Sequence, residues 1–261
     1  MDKGAVARHF SRAAASYDQV AELQRQVADA LLAEYQQSTG TILDLGCGTG
    51  YLSGQLQAGF AVAGQQTSRV VALDLAPGML AQARQQHPQP GIHWLQGDAE
   101  ALPLAEGCCS AVLSSLAVQW CSDPQQLFRE CWRVLKPGGQ LLLSTLGPAT
   151  LHELRQAWAE SDNAAHVNRF WSLASWQRAS GSGWQGQWLQ RNWTLYYPRA
   201  WALMKELKLL GASHVEGERS VQGLGGRQRL QQVEQGYRQF VTEQGLPATY
   251  EVFLAVLRKP E

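Results

Sequence analysis

The segment Thr41-Ile-Leu-Asp-Leu-Gly-Cys-Gly-Thr-Gly50 constrains the fold more than any other stretch of the chain. An apolar run carrying one acid, Asp44, breaks into glycines at Gly46, Gly48 and Gly50. That order predicts a buried parallel strand, a turn, and a helix beginning near Tyr51. Glycine tolerates positive φ and lets a ligand approach the backbone closely. Free N–H groups at the helix start favour an anionic group. Asp44, at the strand's end, presents a carboxylate to whatever occupies the turn. A dinucleotide fingerprint needs G-x-G-x-x-G, and Tyr51 stands where its third glycine belongs. A nicotinamide oxidoreductase is therefore disfavoured.

From Thr41 onward strand and helix signals alternate. Strand signals fall at 41–45, 70–74, 92–95, 111–115 and 140–145, with helix-period segments at 51–58, 77–87 and 124–135. Such alternation implies a parallel sheet covered on both faces by right-handed crossovers. Ligands in these sheets bind at the carboxyl ends of the strands. Asp74 ends the second strand, where its carboxylate could accept two ribose hydroxyls or cap the helix before Pro77. Asp98 follows the third strand.

Residues 3–36 read as helix with a break at Ser16-Tyr17-Asp18, where Asp18 is expected to cap the second helix. This pair is either structural or a lid with Tyr17 reaching inward. Beyond the fifth strand, helices are expected at 148–160 and 171–182, a sixth strand at Gln185–Tyr197, helices at 199–211 and 227–244, and a last strand at Thr249–Leu257. About 50 residues separate the last two strands, too many for a plain connection. That insertion, with 148–160, is the candidate substrate cap. Seven of the ten tryptophans lie between Trp158 and Trp201, as cap core or as the lining of a tunnel.

The form D-x-G-x-G-x-G resembles motif I of the class I S-adenosylmethionine-dependent methyltransferases. Arg133-Val-Leu-Lys-Pro-Gly-Gly139, closing a helix before the fifth strand, is also similar to that family. The resemblance implies a Rossmann-like α/β fold with a mostly parallel seven-stranded sheet, helices on both faces and helical cap insertions. It divides this single domain into a lid (1–38), a cofactor-binding core (39–147), and cap helices with the last two strands (148–261). It also implies that Asp44 and the loop residues Gly46, Cys47, Gly48 and Gly50 hold the amino-acid end of S-adenosylmethionine. Asp74 would hold the ribose and Asp98, beside Ala99, the adenine amino group. Leu75 and Met79 would flank the adenine ring or belong to the core, and Leu116 would complete the pocket.

Composition narrows the class further. Hydrophobic residues make up 45% and charged residues 17% of 261, which are globular values. No apolar run reaches the ~20 residues that span a membrane, and no signal-peptide apolar region opens the chain. The five cysteines, odd in number and without a C-x-x-C pair, read as reduced thiols of a cytoplasmic protein. No His/Cys cluster has metal-ligand spacing, so no metal is expected. Zero net charge argues against general nucleic-acid binding. Residues 1–150 carry 9 basic and 12 acidic side chains, whereas residues 151–261 carry 13 and 10, so the basic bias lies in the second part.

The flanks narrow the resemblance. Val6-Ala-Arg-His-Phe-Ser-Arg-Ala-Ala-Ala-Ser-Tyr-Asp18, Leu116-Ala-Val-Gln-Trp-Cys121, Thr145-Leu-Gly-Pro-Ala-Thr-Leu-His-Glu-Leu-Arg155, His166-Val-Asn-Arg-Phe170, Leu207-Lys-Leu-Leu-Gly-Ala212 and Gly245-Leu-Pro-Ala-Thr-Tyr-Glu251 resemble the malonyl-acyl-carrier-protein methyltransferases of biotin synthesis. Gly223-Leu-Gly-Gly-Arg227 departs from the pattern, and the spacer Gly64–Ser68 is long. The resemblance implies methylation of the free malonyl carboxylate on acyl carrier protein (or on coenzyme A), with no membrane or nucleic-acid partner. Carrier proteins are acidic, which suits the basic bias of 151–261.

A carboxylate is already ionised near neutral pH, so the reaction needs no general base. Alignment and water exclusion carry it. Arg155 is the first candidate to orient the carboxylate, by bidentate pairing, against the reading of a surface arginine. Gln119 and Trp120 should line the transfer site, with Tyr17 and His214 as further candidates. Arg219, Arg227 and Arg229 are candidates for a phosphate or carrier acids, or for a solvated face. Two alternatives stand beside this reading: a methyltransferase of a small acidic metabolite or quinone precursor, and a non-catalytic S-adenosylmethionine-binding protein.

Overall fold

The computed structural model describes residues 2–64, 68–159, 166–211 and 226–261, the side chains of 226–228 excepted. In chain order the elements are α1 (Lys3–Tyr17), α2 (Glu22–Ala33), β1 (Thr41–Leu45), α3 (Tyr51–Val62), β2 (Arg69–Asp74), α4 (Pro77–Gln86), β3 (Ile92–Gln96), β4 (Cys109–Ser115), α5 (Pro124–Val134), β5 (Leu135–Leu146), α6 (His152–Ala159), α7 (Leu173–Ser180), β6 (Gln185–Tyr197), α8 (Ala200–Leu209), α9 (Gly226–Tyr237) and β7 (Leu246–Arg258). Short 3₁₀ turns cover Val118–Trp120 and Arg238–Phe240.

Among the described residues the sheet has seven strands in the order β3-β2-β1-β4-β5-β7-β6. The first five run parallel, and β7 inserts antiparallel between β5 and β6. β1 is central and apolar for a physical reason: paired on both edges and covered on both faces, it has no wet side. Side-chain alternation then divides its residues. Ile42 enters the core layer beneath α2, α3 and α8, whereas Leu43 and Leu45 enter the layer beneath α5 and α7. The strand order reverses between β1 and β4, and there the carboxyl ends open a crevice.

The expected strands all form, with β6 bounded as expected. β5 begins earlier than expected because Leu135 pairs with Cys109 across an irregularity in the ladder. α6 and α7 are shorter than their sequence signals. Residues ahead of α6 instead turn back on β7, where the Thr150 hydroxyl donates to the Glu251 carbonyl.

Two expectations are corrected. Asp18 does not cap α2, whose N-cap is Ala21 with no side-chain hydrogen bond. Its carboxylate accepts from the Thr49 hydroxyl and the Gln86 amide, each at 2.6 Å, and so ties the α1–α2 break to the glycine loop. The tryptophans do not form one cap core. Trp176, Trp184 and Trp188 surround Phe128 of α5 on the opposite face of the sheet, because α7 packs against α5 rather than over the crevice. Among the described residues, all five cysteines are free and no helix is long and apolar enough to cross a membrane.

Candidate active site

Three adjoining cavities open at the carboxyl ends of β1, β2, β3 and β4. The first spans about 820 Å³, its solvent-open mouth included, between the strand tips and the inner face of α1. Gly46 and Gly48 form its floor at φ values of 75° and 54°. A Cβ on Gly46 would lie 2.3 Å from that of Ala117, so no side chain fits there. A Cβ on Gly48 would meet nothing within 4 Å. Its open side borders the cavity, where a ligand can reach the backbone. Gly50, at φ 91°, takes no part in the wall and caps α3 instead.

Asp74 supports this floor. Its Oδ2 accepts from the Gly48 N–H at 2.8 Å and its Oδ1 from the Ala76 N–H at 2.7 Å. Burial raises its pKa, and the backbone N–H groups of Ala76, Gly48 and Leu75 oppose the shift. A carboxylate offers about four lone-pair sites, so at least one remains for a hydroxyl of a ligand. Asp98 borders the far end of the same cavity with Leu75, Met79 and Ala99. It is paired at 2.7 Å with Lys3, which also holds Glu100 at 2.7 Å.

A smaller cavity of about 470 Å³ adjoins the floor and is walled by Asp44, Cys47, Thr49 and Gln24. Asp44 is 1% exposed. Its Oδ2 accepts from the Ser53 hydroxyl at 2.6 Å, and its Oδ1 has no partner. Burial is the main cause that pushes its pKa up to about 7; the Ser53 hydrogen bond opposes it and the Asp74 charge adds to it. A cation at this point would restore the ionised form. Buried polar atoms without partners are rare in native folds. Here Asp44, Gln24 and Gln119, three of the six such side chains among the described residues, wall the cavities. The set fits a ligand with a cationic group at one end and hydroxyls in its middle.

The third cavity, of about 1170 Å³, lies under α6 and α8. Phe10, Tyr17, Leu116 and Trp120 wall both this cavity and the first. Tyr17 borders all three, which makes it the junction of the site. Phe10 and Trp120 meet edge to face at 5.3 Å. Leu116 (φ 48°) and Leu151 (φ 54°) are the two non-glycine residues with positive φ among the described residues, and both wall this cavity. Such conformations cost about 1–3 kcal/mol each and cluster at functional sites. The described wall contains no lysine or arginine, while Glu206 contributes a carboxyl whose pKa is raised chiefly by burial. Glu206 accepts from the Tyr197 hydroxyl at 2.6 Å.

Most of the residues singled out in the sequence converge on these cavities. Arg155 stands apart from the described walls: its guanidinium donates to the carbonyls of Pro148 and, at 2.6 Å, Thr150. His214 and Arg219 lie outside the described residues, as does the side chain of Arg227, and Arg229 borders none of the cavities. Sequence reasoning missed Gln24, Leu151, Met204, Glu206 and Tyr250 in the third cavity. No local spacing marks them, because they come from four different segments. For Gln24 and Glu206 the available signal was a polar residue on a helix otherwise turned inward.

Comparison with known proteins agrees with this geometry. Residues 43–143 match the methyltransferase domain family. The biotin biosynthesis bifunctional protein BioHC of Cellvibrio japonicus is 46% identical over 265 residues, covering 100% of this chain and 51% of that protein. The chain thus spans about half the length of that relative. The malonyl-[acyl-carrier protein] O-methyltransferase of Hahella chejuensis is 41% identical over 258 residues, covering 98% of this chain and 90% of the relative. Among solved structures, the YcgJ protein of Bacillus subtilis superposes with a TM-score of 0.57 at 20% identity, covering 90% of this chain and 98% of that one. At that identity it speaks to the fold alone. With the end-to-end similarity to the Hahella enzyme, the chain belongs to the malonyl-[acyl-carrier protein] O-methyltransferase family.

Proposed function

We propose that this protein transfers a methyl group from S-adenosylmethionine to the free carboxylate of a malonyl thioester on acyl carrier protein, giving the methyl ester that primes pimeloyl and biotin synthesis. The observation that carries the reading is the unpartnered Oδ1 of Asp44, buried in the small cavity that adjoins the glycine floor of the cavity lined by Asp74 and Asp98. When bound, S-adenosylmethionine supplies an electrophilic methyl on a sulfonium. Asp44 and Gln24 then hold the amino-acid end, Asp74 the ribose, and Asp98 with Leu75 and Met79 the adenine.

The acceptor carboxylate occupies the third cavity. Charge is annihilated as the methyl moves, so a strong cation beside the nucleophile would stabilise the ground state as well. A wall whose described residues include no lysine or arginine suits that demand. The Tyr17 hydroxyl and an amide N–H of Gln119 can orient a carboxylate without quenching it. Phe10, Leu116, Trp120 and Leu154 exclude water around it, which strengthens those dipoles. α1, which walls both chambers, serves as the lid. Arg155 enters only if its guanidinium leaves the Pro148 and Thr150 carbonyls. Five free cysteines among the described residues suit a reducing cytoplasm.

The test is incubation with labelled S-adenosylmethionine and malonyl-carrier protein, followed by mass spectrometry of the carried group. The expected product gains one methyl, with far less label on acetyl-carrier protein, which lacks a free carboxylate. Equal labelling of both, or labelling of free small acids alone, refutes the assignment.

A further inference from the structure

A fourth cleft, of about 540 Å³, adjoins the acceptor chamber and shares Gln119 and Phe170 with it. It is walled further by Arg169, Trp171 and Trp176, and it touches the first cavity at Val118 and Cys121. Its position makes it an approach to the point where methyl transfer would occur.

Three features of its wall are unexplained by the fold. Arg169 is exposed and pairs with no described residue, and no acidic side chain is in the described wall. Trp176 is 2% exposed, yet its indole N–H has no acceptor. Trp171 leaves its ring 45% exposed while leaning on Trp176 at 5.7 Å between centroids. A buried donor without a partner is costly, and a ligand carbonyl removes the cost. An unpaired guanidinium in an acid-free wall recognises phosphate. An exposed indole face suits a compact apolar group.

We propose that this cleft binds the phosphopantetheine arm on which the acceptor is carried, a deepening that rests on the carrier-linked reading above. Arg169 pairs with the phosphodiester, Trp171 covers the arm's dimethyl carbon, and the Trp176 N–H donates to a pantetheine amide carbonyl. The thioester then passes Gln119 and Phe170 into the acceptor chamber. The wall combines one cation, one exposed ring and one buried donor, an order that matches phosphate, branched carbon and amide along the arm. A peptide from the carrier's acidic surface needs no buried indole donor and offers no dimethyl group.

The experiment compares malonyl-phosphopantetheine with malonyl-pantetheine as acceptors for the native protein, Arg169→Gln and Trp176→Phe. The native protein should favour the phosphorylated acceptor by about tenfold in kcat/KM. Arg169→Gln should abolish that preference while leaving S-adenosylmethionine affinity and activity on malonyl-pantetheine unchanged. Trp176→Phe, checked for an unaltered Tm, should raise KM for both acceptors by the same factor. Native protein that methylates both acceptors equally, or an Arg169→Gln variant that keeps the preference, overturns the subsite and leaves the reaction assignment standing. Loss confined to malonyl-carrier protein in Arg169→Gln would mean that Arg169 meets the carrier surface, which also overturns it. Methylation of no malonyl thioester at all removes the reaction assignment and the subsite together.

Discussion

Replacing Asp44 with Asn separates what this residue does for the fold from what it does for a ligand, because the two effects have opposite signs. Burial raises its pKa from 3.8 to about 7, with the Asp74 charge adding to the rise. Holding Asp44 ionised in the empty protein therefore costs about 4 kcal/mol at high pH, at 1.36 kcal/mol per unit. Since the folded-state value lies above the unfolded one, this stability is fully present below pH 3.8 and is lost as pH rises through about 7. Asn keeps an acceptor for the Ser53 hydroxyl and carries no charge. If even half the cost is recovered at pH 8, Tm should rise by roughly 4–8 °C in a chain of this size. Binding should change the other way. Loss of a charge-assisted hydrogen bond to an ammonium should raise the Kd for S-adenosylmethionine by roughly ten- to a hundredfold. For the native protein, Asp44 is about half ionised at pH 7 and about 3% ionised at pH 5.5, so affinity should fall about fifteenfold between them. An α-amino group stays charged in that window, with a pKa of roughly 7.7–8.0. Calorimetry across pH, with thermal melts of the empty proteins, reads every quantity. An Asn variant that melts lower and binds equally well would assign Asp44 to the fold alone.

Two further expectations concern the chamber walls. Tyr17→Phe should leave S-adenosylmethionine affinity within about threefold while lowering kcat roughly tenfold, since a hydroxyl that orients the acceptor acts in the transfer step; steady-state kinetics with calorimetry distinguishes this from a cofactor contact. Arg155→Ala should lower Tm by about 2–4 °C through loss of its hydrogen bonds to the Pro148 and Thr150 carbonyls. A rise in KM for the malonyl thioester, with S-adenosylmethionine affinity unchanged, would add a substrate role, and unchanged acceptor kinetics would exclude it.

The part of the site proposed for the cofactor drew on signals that are local. Asp44, Asp74 and Asp98 each follow an apolar run, and a glycine loop after the first strand has few structural uses. The period-two pattern bounded β6 for the same reason. The third cavity was not legible, because its wall draws Gln24 from α2, Met204 and Glu206 from α8, and Tyr250 from β7, positions that only the tertiary fold brings together. Asp18 shows the difference within one residue. Its type and place suited a helix cap, but the fold offered the Thr49 hydroxyl and the Gln86 amide instead. Arg155 likewise found backbone carbonyls nearer than any chamber. The expectation of one tryptophan cap core failed because composition does not reveal which face of a sheet a helix will choose, and α7 chose α5.

α1 walls the first and third cavities alike, through Phe10 and Tyr17, while Lys3 fastens its first turn to Asp98 and Glu100. With donor and acceptor seated as proposed above, this one helix would govern traffic through two doors. Spent donor could not depart until the helix swung out, and turnover would then be timed by the unlatching of two ion pairs, a clock that added salt should quicken.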